Sequence, residues 1–168
     1  SMKAILGGKG ANLAEMANIG LPVPPGFTIT CQTCMEYANA GNAWPEGALG
    51  TIQEYREDLE ARMGKKIGDA EDPLLVSVRS GAPMSMPGMM DTVLNLGLND
   101  ESINGLIAQT ENPRFAWDSY RRFIQMFSNV VMNLDGDLFE NAINAMKHAR
   151  GAAPDTDLTA EDLQELVA

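Results

Sequence analysis

LLVSVRSGAPMSMPGMMDTVLNLGLND, residues 74–100, sets two short apolar runs on either side of a segment too rich in glycine and proline for regular structure. The first run follows a turn-forming Asp72-Pro73 and predicts a strand over 74–79 that ends on a charge, Arg79. The second predicts a strand over 92–96. Beyond Asp100 the texture changes to helical spacing, over 101–109, 113–133, 137–149 and onward from 159, where Thr159 and Asp162 form a capping pair. A subdomain boundary is therefore expected near Asp100.

Working back toward the N-terminus, Leu13, Met16 and Ala17 recur at helical spacing and predict a helix over 10–19, stopped by Gly20. Pro22, Pro24 and Pro25 enforce extended backbone, and residues 27–30 alternate as a short strand does. Thr33 is expected to cap a helix to residue 40. A longer helix is expected over 46–63, with Leu49, Ile52, Leu59 and Met63 on one stripe and Gly64 at its end. Its Glu54, Glu57, Asp58 and Glu60 read as a solvated face, because no shared point gathers these carboxylates. In the helix over 113–133, Phe115, Tyr120, Phe123, Ile124, Phe127, Val130 and Val131 form a broad apolar stripe, expected to pack in the core.

The 168 residues carry 12 Lys and Arg against 23 Asp and Glu, a formal charge of -11. Nucleic acid and anionic membranes are recognised by clustered cations, so both are excluded as partners. No apolar run approaches the roughly 20 residues that span a bilayer, and no secretory signal is visible, so a cytoplasmic setting is expected. Ser1-Met2 reads as a tag remnant, and both ends read as cut from a longer chain. Cys31 and Cys34 form a C-x-x-C pair, a pattern of zinc sites and of redox pairs, but a structural zinc needs about four ligands and His148 is remote in sequence, and no βαβ surroundings accompany a thioredoxin-like pair, although Thr33 would permit the helix start it needs. The pair is read as two small residues at a strand end, and His148 as a surface residue.

Gly7-Gly8-Lys9-Gly10 puts a lysine among glycines at a helix start, where free N–H groups and the helix dipole favour an anion. It reads either as a phosphate site or as a glycine-rich turn. It is not a Walker loop, since Gly10 stands where Ser or Thr is required. Arg79, at the end of what is expected to be a buried strand, needs an anionic partner, either a ligand or a carboxylate such as Asp91. The loop from Ser85 to Asp91, with its methionines, reads as adaptable packing or as a lid over a ligand.

The strings GGKGANLAEM (7–16), GLPVPPGFTIT (20–30), LLVSVRSGA (74–82), SMPGMMDTVLNLGLND (85–100) and SYRRFIQMF (119–127) closely resemble the N-terminal region of the pyruvate phosphate dikinase family in order, wording and spacing. The resemblance covers essentially the whole chain. It implies an α+β fold: the N-terminal lobe of an ATP-grasp nucleotide-binding domain, a small sheet with helices over 1–99, followed by a helical subdomain over 100–168. The implied chemistry moves the β-phosphoryl group of ATP to a histidine on a separate swivelling domain, with inorganic phosphate taking the γ-group and pyruvate accepting the phosphoryl group in a third domain. The implied products are phosphoenolpyruvate, AMP and diphosphate.

By position, Lys9 matches a lysine that binds ATP phosphates, Arg79 an arginine that is both ATP-binding and catalytic, and Ser85, Gly88 and Met89 belong to the loop that closes over the phosphates. The Mg²⁺ ligands are expected outside this segment, and no metal site is assigned. The expected partners are ATP, the other ATP-grasp lobe, the phosphohistidine domain and, for the parent, a second copy in a homodimer. An exposed apolar patch is expected where the missing lobe would pack. Two departures stand out: Pro83 where many relatives carry arginine, and Trp117 in a place often held by tyrosine. The alternatives are a phosphoenolpyruvate synthase-like phosphotransferase, against which the wording of the loop over 85–92 argues, and a non-catalytic interaction module.

Overall fold

In the computed structural model, which describes residues 2–81 and 92–168, the chain forms two compact units. The described part of the first comprises 2–64 and 79–81, and the second comprises 65–78 and 92–168.

In the first unit, helix α1 runs from Met2 to Asn18 and so begins earlier than the sequence pattern indicates. Gly7 interrupts it at φ 69°, ψ 173°, a conformation open essentially to glycine alone. The helix ends where Gly20 turns left-handed and the Leu21 N–H reaches the Met16 carbonyl at 3.0 Å. Residues 21–30 then run without regular structure. The strand expected over 27–30 is absent: its residues have strand propensity, but a strand also needs a neighbour to share its hydrogen bonds. This segment packs through side chains instead. A Cβ on Gly10 would lie 3.2 Å from Thr28, and Phe27 stacks on Tyr55 with ring centres 5.7 Å apart.

Helix α2, Cys31–Asn39, is capped by Thr30 and not by Thr33. Thr30 has the extended backbone a cap requires, and its hydroxyl accepts from the Thr33 N–H at 3.3 Å. Helix α3, Ala48–Met63, lies between left-handed Gly47 and Gly64. Of its expected apolar stripe only Leu59 is buried, while Leu49 is 57% exposed. The acidic face is solvated at Glu54, Glu57 and Asp58, which are exposed, with Asp58 3.6 Å from Arg62, but not at Glu60, whose side chain is 13% exposed and lies 4.0 Å from Arg56.

The second unit holds the better core. Strands β1, Val76–Arg79, and β2, Thr92–Leu96, form a two-stranded antiparallel sheet, which with the surrounding helices makes the chain α+β. Helices α4, Ser102–Thr110, α5, Pro113–Val130, α6, Asp137–Arg150, and α7, Ala160–Val167, follow, with a short 3₁₀ turn at Asp155–Asp157. Asn112 caps α5 by accepting from the Phe115 N–H at 3.0 Å, and Pro113 occupies the first turn, where a missing N–H costs nothing. The capping box at the start of α7 is the one read from Thr159 and Asp162.

Leu98, Ile103, Leu106, Ala116 and Tyr120 form one cluster, with Leu75, Phe123 and Ile124 against it. Ile143, Leu158 and Leu163 form another, and Trp117 touches both. Each large apolar side chain so buried stabilises the unit by about 1.5–3 kcal/mol. The α5 stripe is only partly sequestered, since Phe115 is 50% and Val131 56% exposed. Close backbone approach requires two glycines here. Gly97, at φ 118°, passes so near Leu74 that a Cβ would lie 2.5 Å from its carbonyl oxygen, and one on Gly105 would lie 2.5 Å from that of Glu71.

Candidate functional site

The break at Gly7 makes Gly8, Lys9 and Gly10 the opening residues of the helical segment that continues to Asn18. Amides in the first turn of such a segment have no carbonyl one turn earlier, so they are the ones left for caps or anions. Lys9 is half-buried, and no carboxylate of the described residues lies within ion-pair distance of it. The glycines divide the work differently from the sequence reading. Gly7 supplies a conformation, and Gly10 makes room for Thr28, whose side chain occupies the space a Cβ would need. Nothing local in the sequence marks Thr28 as the neighbour of Gly10, because the contact joins a helix to an extended segment eighteen positions on.

Arg79 closes β1, but the strand is not buried: Val76 is half-buried, and Ser77, Val78 and Arg79 are exposed. This corrects the burial argument for Arg79, since an exposed guanidinium is hydrated and needs no fixed anion. No described carboxylate pairs with it. The alternative partner Asp91 lies outside the described residues, as do Ser85, Gly88 and Met89 of the phosphate loop, and Pro83.

One contact bears on whether the two cations belong together. Arg79 and the residues that follow it group with the first unit, and a Cβ on Gly81 would lie 3.9 Å from the Leu6 carbonyl oxygen. The chain just after Arg79 therefore runs beside the chain just before Gly7-Gly8-Lys9. Lys9 and Arg79 thus lie on neighbouring segments of the first unit.

Among the described residues, no group of three or more His, Cys, Asp or Glu side chains is arranged to hold a metal, and no helix is long and apolar enough to cross a membrane. His148 is exposed at the end of α6. Cys31 and Cys34 sit in the first turn of α2, not at a strand end, with Cys34 exposed and Cys31 half-buried.

Residues 3–58 match the family model described as the pyruvate phosphate dikinase AMP/ATP-binding domain. The chain is 58% identical over 166 residues to pyruvate, phosphate dikinase of Clostridium symbiosum, covering 99% of this chain and 19% of that protein. It is 56% identical over 164 residues to the Giardia intestinalis enzyme of the same name, covering 98% and 18%. Against the chloroplastic pyruvate, phosphate dikinase 1 of Zea mays it is 58% identical over 167 residues, covering 99% and 18%. The chain thus spans about a fifth of the length of these relatives. Identity this high, sustained from end to end of the chain, makes it closely similar to one segment of these dikinases, and residues 3–58 of it match the model of their AMP/ATP-binding domain.

Proposed function

We propose that this chain is the N-terminal part of the ATP-binding domain of a pyruvate, phosphate dikinase, in which Lys9 and Arg79 bind nucleotide phosphates and Arg79 also serves the transfer step. Residues 1–99 form part of the ATP-grasp lobe and 100–168 its helical subdomain. The observation that carries the reading is identity of 55–58% through practically the whole chain to proteins of that name. The approach of the Arg79–Gly81 segment to the glycine break beside Lys9 supports it from the structural side.

In this reading the parent converts ATP, pyruvate and phosphate to phosphoenolpyruvate, AMP and diphosphate through a phosphohistidine on another domain. It works in the cytoplasm as a homodimer. Phosphoryl transfer is chiefly positioning plus neutralisation of charge on phosphate oxygens, and two cations that pair with no carboxylate among the described residues are suited to that. Mg²⁺ would supply further neutralisation, held by residues outside this segment. The segment alone binds nucleotide weakly or not at all, because the facing lobe is required to enclose it.

Calorimetric titration of MgATP tests the reading, applied to this chain, to a polypeptide extended through the whole ATP-grasp domain, and to Lys9→Ala and Arg79→Ala variants of both. The extended protein should bind, and each substitution should weaken it at least about tenfold, equivalent to about 1.4 kcal/mol. Arg79→Ala in the full-length enzyme should nearly abolish ATP-dependent phosphorylation while leaving the fold. Equal affinity with and without the cations would overturn the assignment.

A further inference from the structure

Cys31 and Cys34 take no part in the reading above. They occupy the first and fourth positions of α2, after the Thr30 cap, and both carry free thiols. Residues three apart on an α-helix are separated by about 5 Å between Cα atoms, given a rise of about 1.5 Å and a turn of about 100° per residue. That lies within the roughly 4.4–6.8 Å that a disulfide spans. Their Cβ atoms, about 5–6 Å apart in a regular helix, must approach to about 4 Å. The first turn can yield that movement, because its leading N–H groups have no carbonyl one turn earlier to hold them in place. The Cys34 N–H bonds back to the Thr30 carbonyl at 3.1 Å, so Cys31 is the freer of the two. No third ligand stands near enough among the described residues to make this a metal site.

We propose that Cys31 and Cys34 form a dithiol site that closes to an intrachain disulfide by exchange with a small-molecule disulfide of the glutathione class. The exposed Cys34 thiolate attacks one sulfur of the oxidised reagent and forms a mixed disulfide, expelling one thiolate. The Cys31 thiolate then attacks the Cys34 sulfur and expels the second. Two protein thiols are oxidised, one reagent disulfide is reduced to two thiols, and two protons pass from the cysteines to the expelled thiolates. The closed pair is reversible by excess thiol.

Intact-mass spectrometry of the 168-residue chain after incubation with oxidised glutathione tests this without reference to nucleotide. The expected product has lost two hydrogen atoms, carries no glutathione, offers no thiol to alkylation, and returns to its starting mass with reductant. Cys31→Ser and Cys34→Ser should each stop at one bound glutathione. A wild-type chain that retains glutathione adducts, pairs with a second chain, or stays unmodified while the single variants react overturns the proposal.

Discussion

Tyr120 donates its phenolic hydrogen to the Asp100 carboxylate across 2.7 Å, joining the middle of α5 to the chain that enters α4. The ring is buried in the main core cluster while its hydroxyl reaches an exposed acid. Tyr120→Phe keeps the ring and deletes the bond. It should lower stability by about 1 kcal/mol, read from urea unfolding.

The same pair gives a signature at high pH. Burial, followed by the hydrogen bond to Asp100 and its charge, pushes the Tyr120 phenol from 10.0 up to about 12. The fold favours the neutral form, so this contribution is complete below pH 10.0 and is lost as pH climbs through about 12. The alkaline decline in stability should be shallower in Tyr120→Phe than in the parent chain.

Asp118 sits between two guanidiniums, with Arg121 Nη2 at 2.8 Å and Arg122 Nε at 3.0 Å. Burial pulls its carboxyl up, but the hydrogen bonds from Arg121 and Arg122 prevail, and it titrates below the usual 3.8. Its stabilisation is therefore present above pH 3.8 and lost as pH falls through the lower folded value. Asp118→Asn deprives the buried Arg121 of its nearest anion and should cost about 2 kcal/mol at neutral pH, with a flatter acid limb in pH-dependent thermal melts.

Thr159 accepts from the Asp162 N–H at 3.2 Å, and Asp162 returns the contact to the Thr159 N–H at 3.0 Å. Thr159→Ala should cost about 1 kcal/mol in thermal unfolding, because it frees an amide at the head of the helix that carries fully buried Leu163.

Two glycines inside helices should respond in opposite directions to alanine. At Gly105 the new Cβ meets the carbonyl oxygens of Glu71 and Ala70 at 2.5 and 2.7 Å, and neither can move without its backbone. A loss of about 3 kcal/mol is expected there. At Gly50 in α3 nothing lies within 4 Å, so alanine should add about 0.5–1 kcal/mol through helix propensity. Melting temperatures of the two variants separate the cases.

The second unit was largely legible in the sequence because its signals are local and agree. Asn112-Pro113 starts a helix, the Thr159 and Asp162 spacing starts another, and apolar periodicity fills the elements between. The first unit was harder to read. Thr30 and Thr33 are both good caps three residues apart, and only the extended backbone carried through from the prolines selects Thr30. Residues 27–30 have the composition of a strand, yet pairing is a property of a neighbour and not of the segment. The glycines around Lys9 imitate a loop, whereas one of them breaks a helix that has already begun. Of the candidate site, Lys9 and Arg79 stood out as charges in unusual company. Which backbone segments meet at Gly81 and Leu6 is a long-range fact that no local pattern encodes.

Because residues 65–78 belong to the second unit although they precede 79–81 of the first, the order of synthesis matters. Leu75 leaves the ribosome before Leu98, Ile103 and Tyr120, members of the core it packs against. A chain terminated before residue 92 would present β1 without β2, an open strand edge beside unsheltered leucines. Early termination in that interval would therefore leave the released polypeptide open to aggregation, whereas a chain that ends after α5 contains the partner strand of β1.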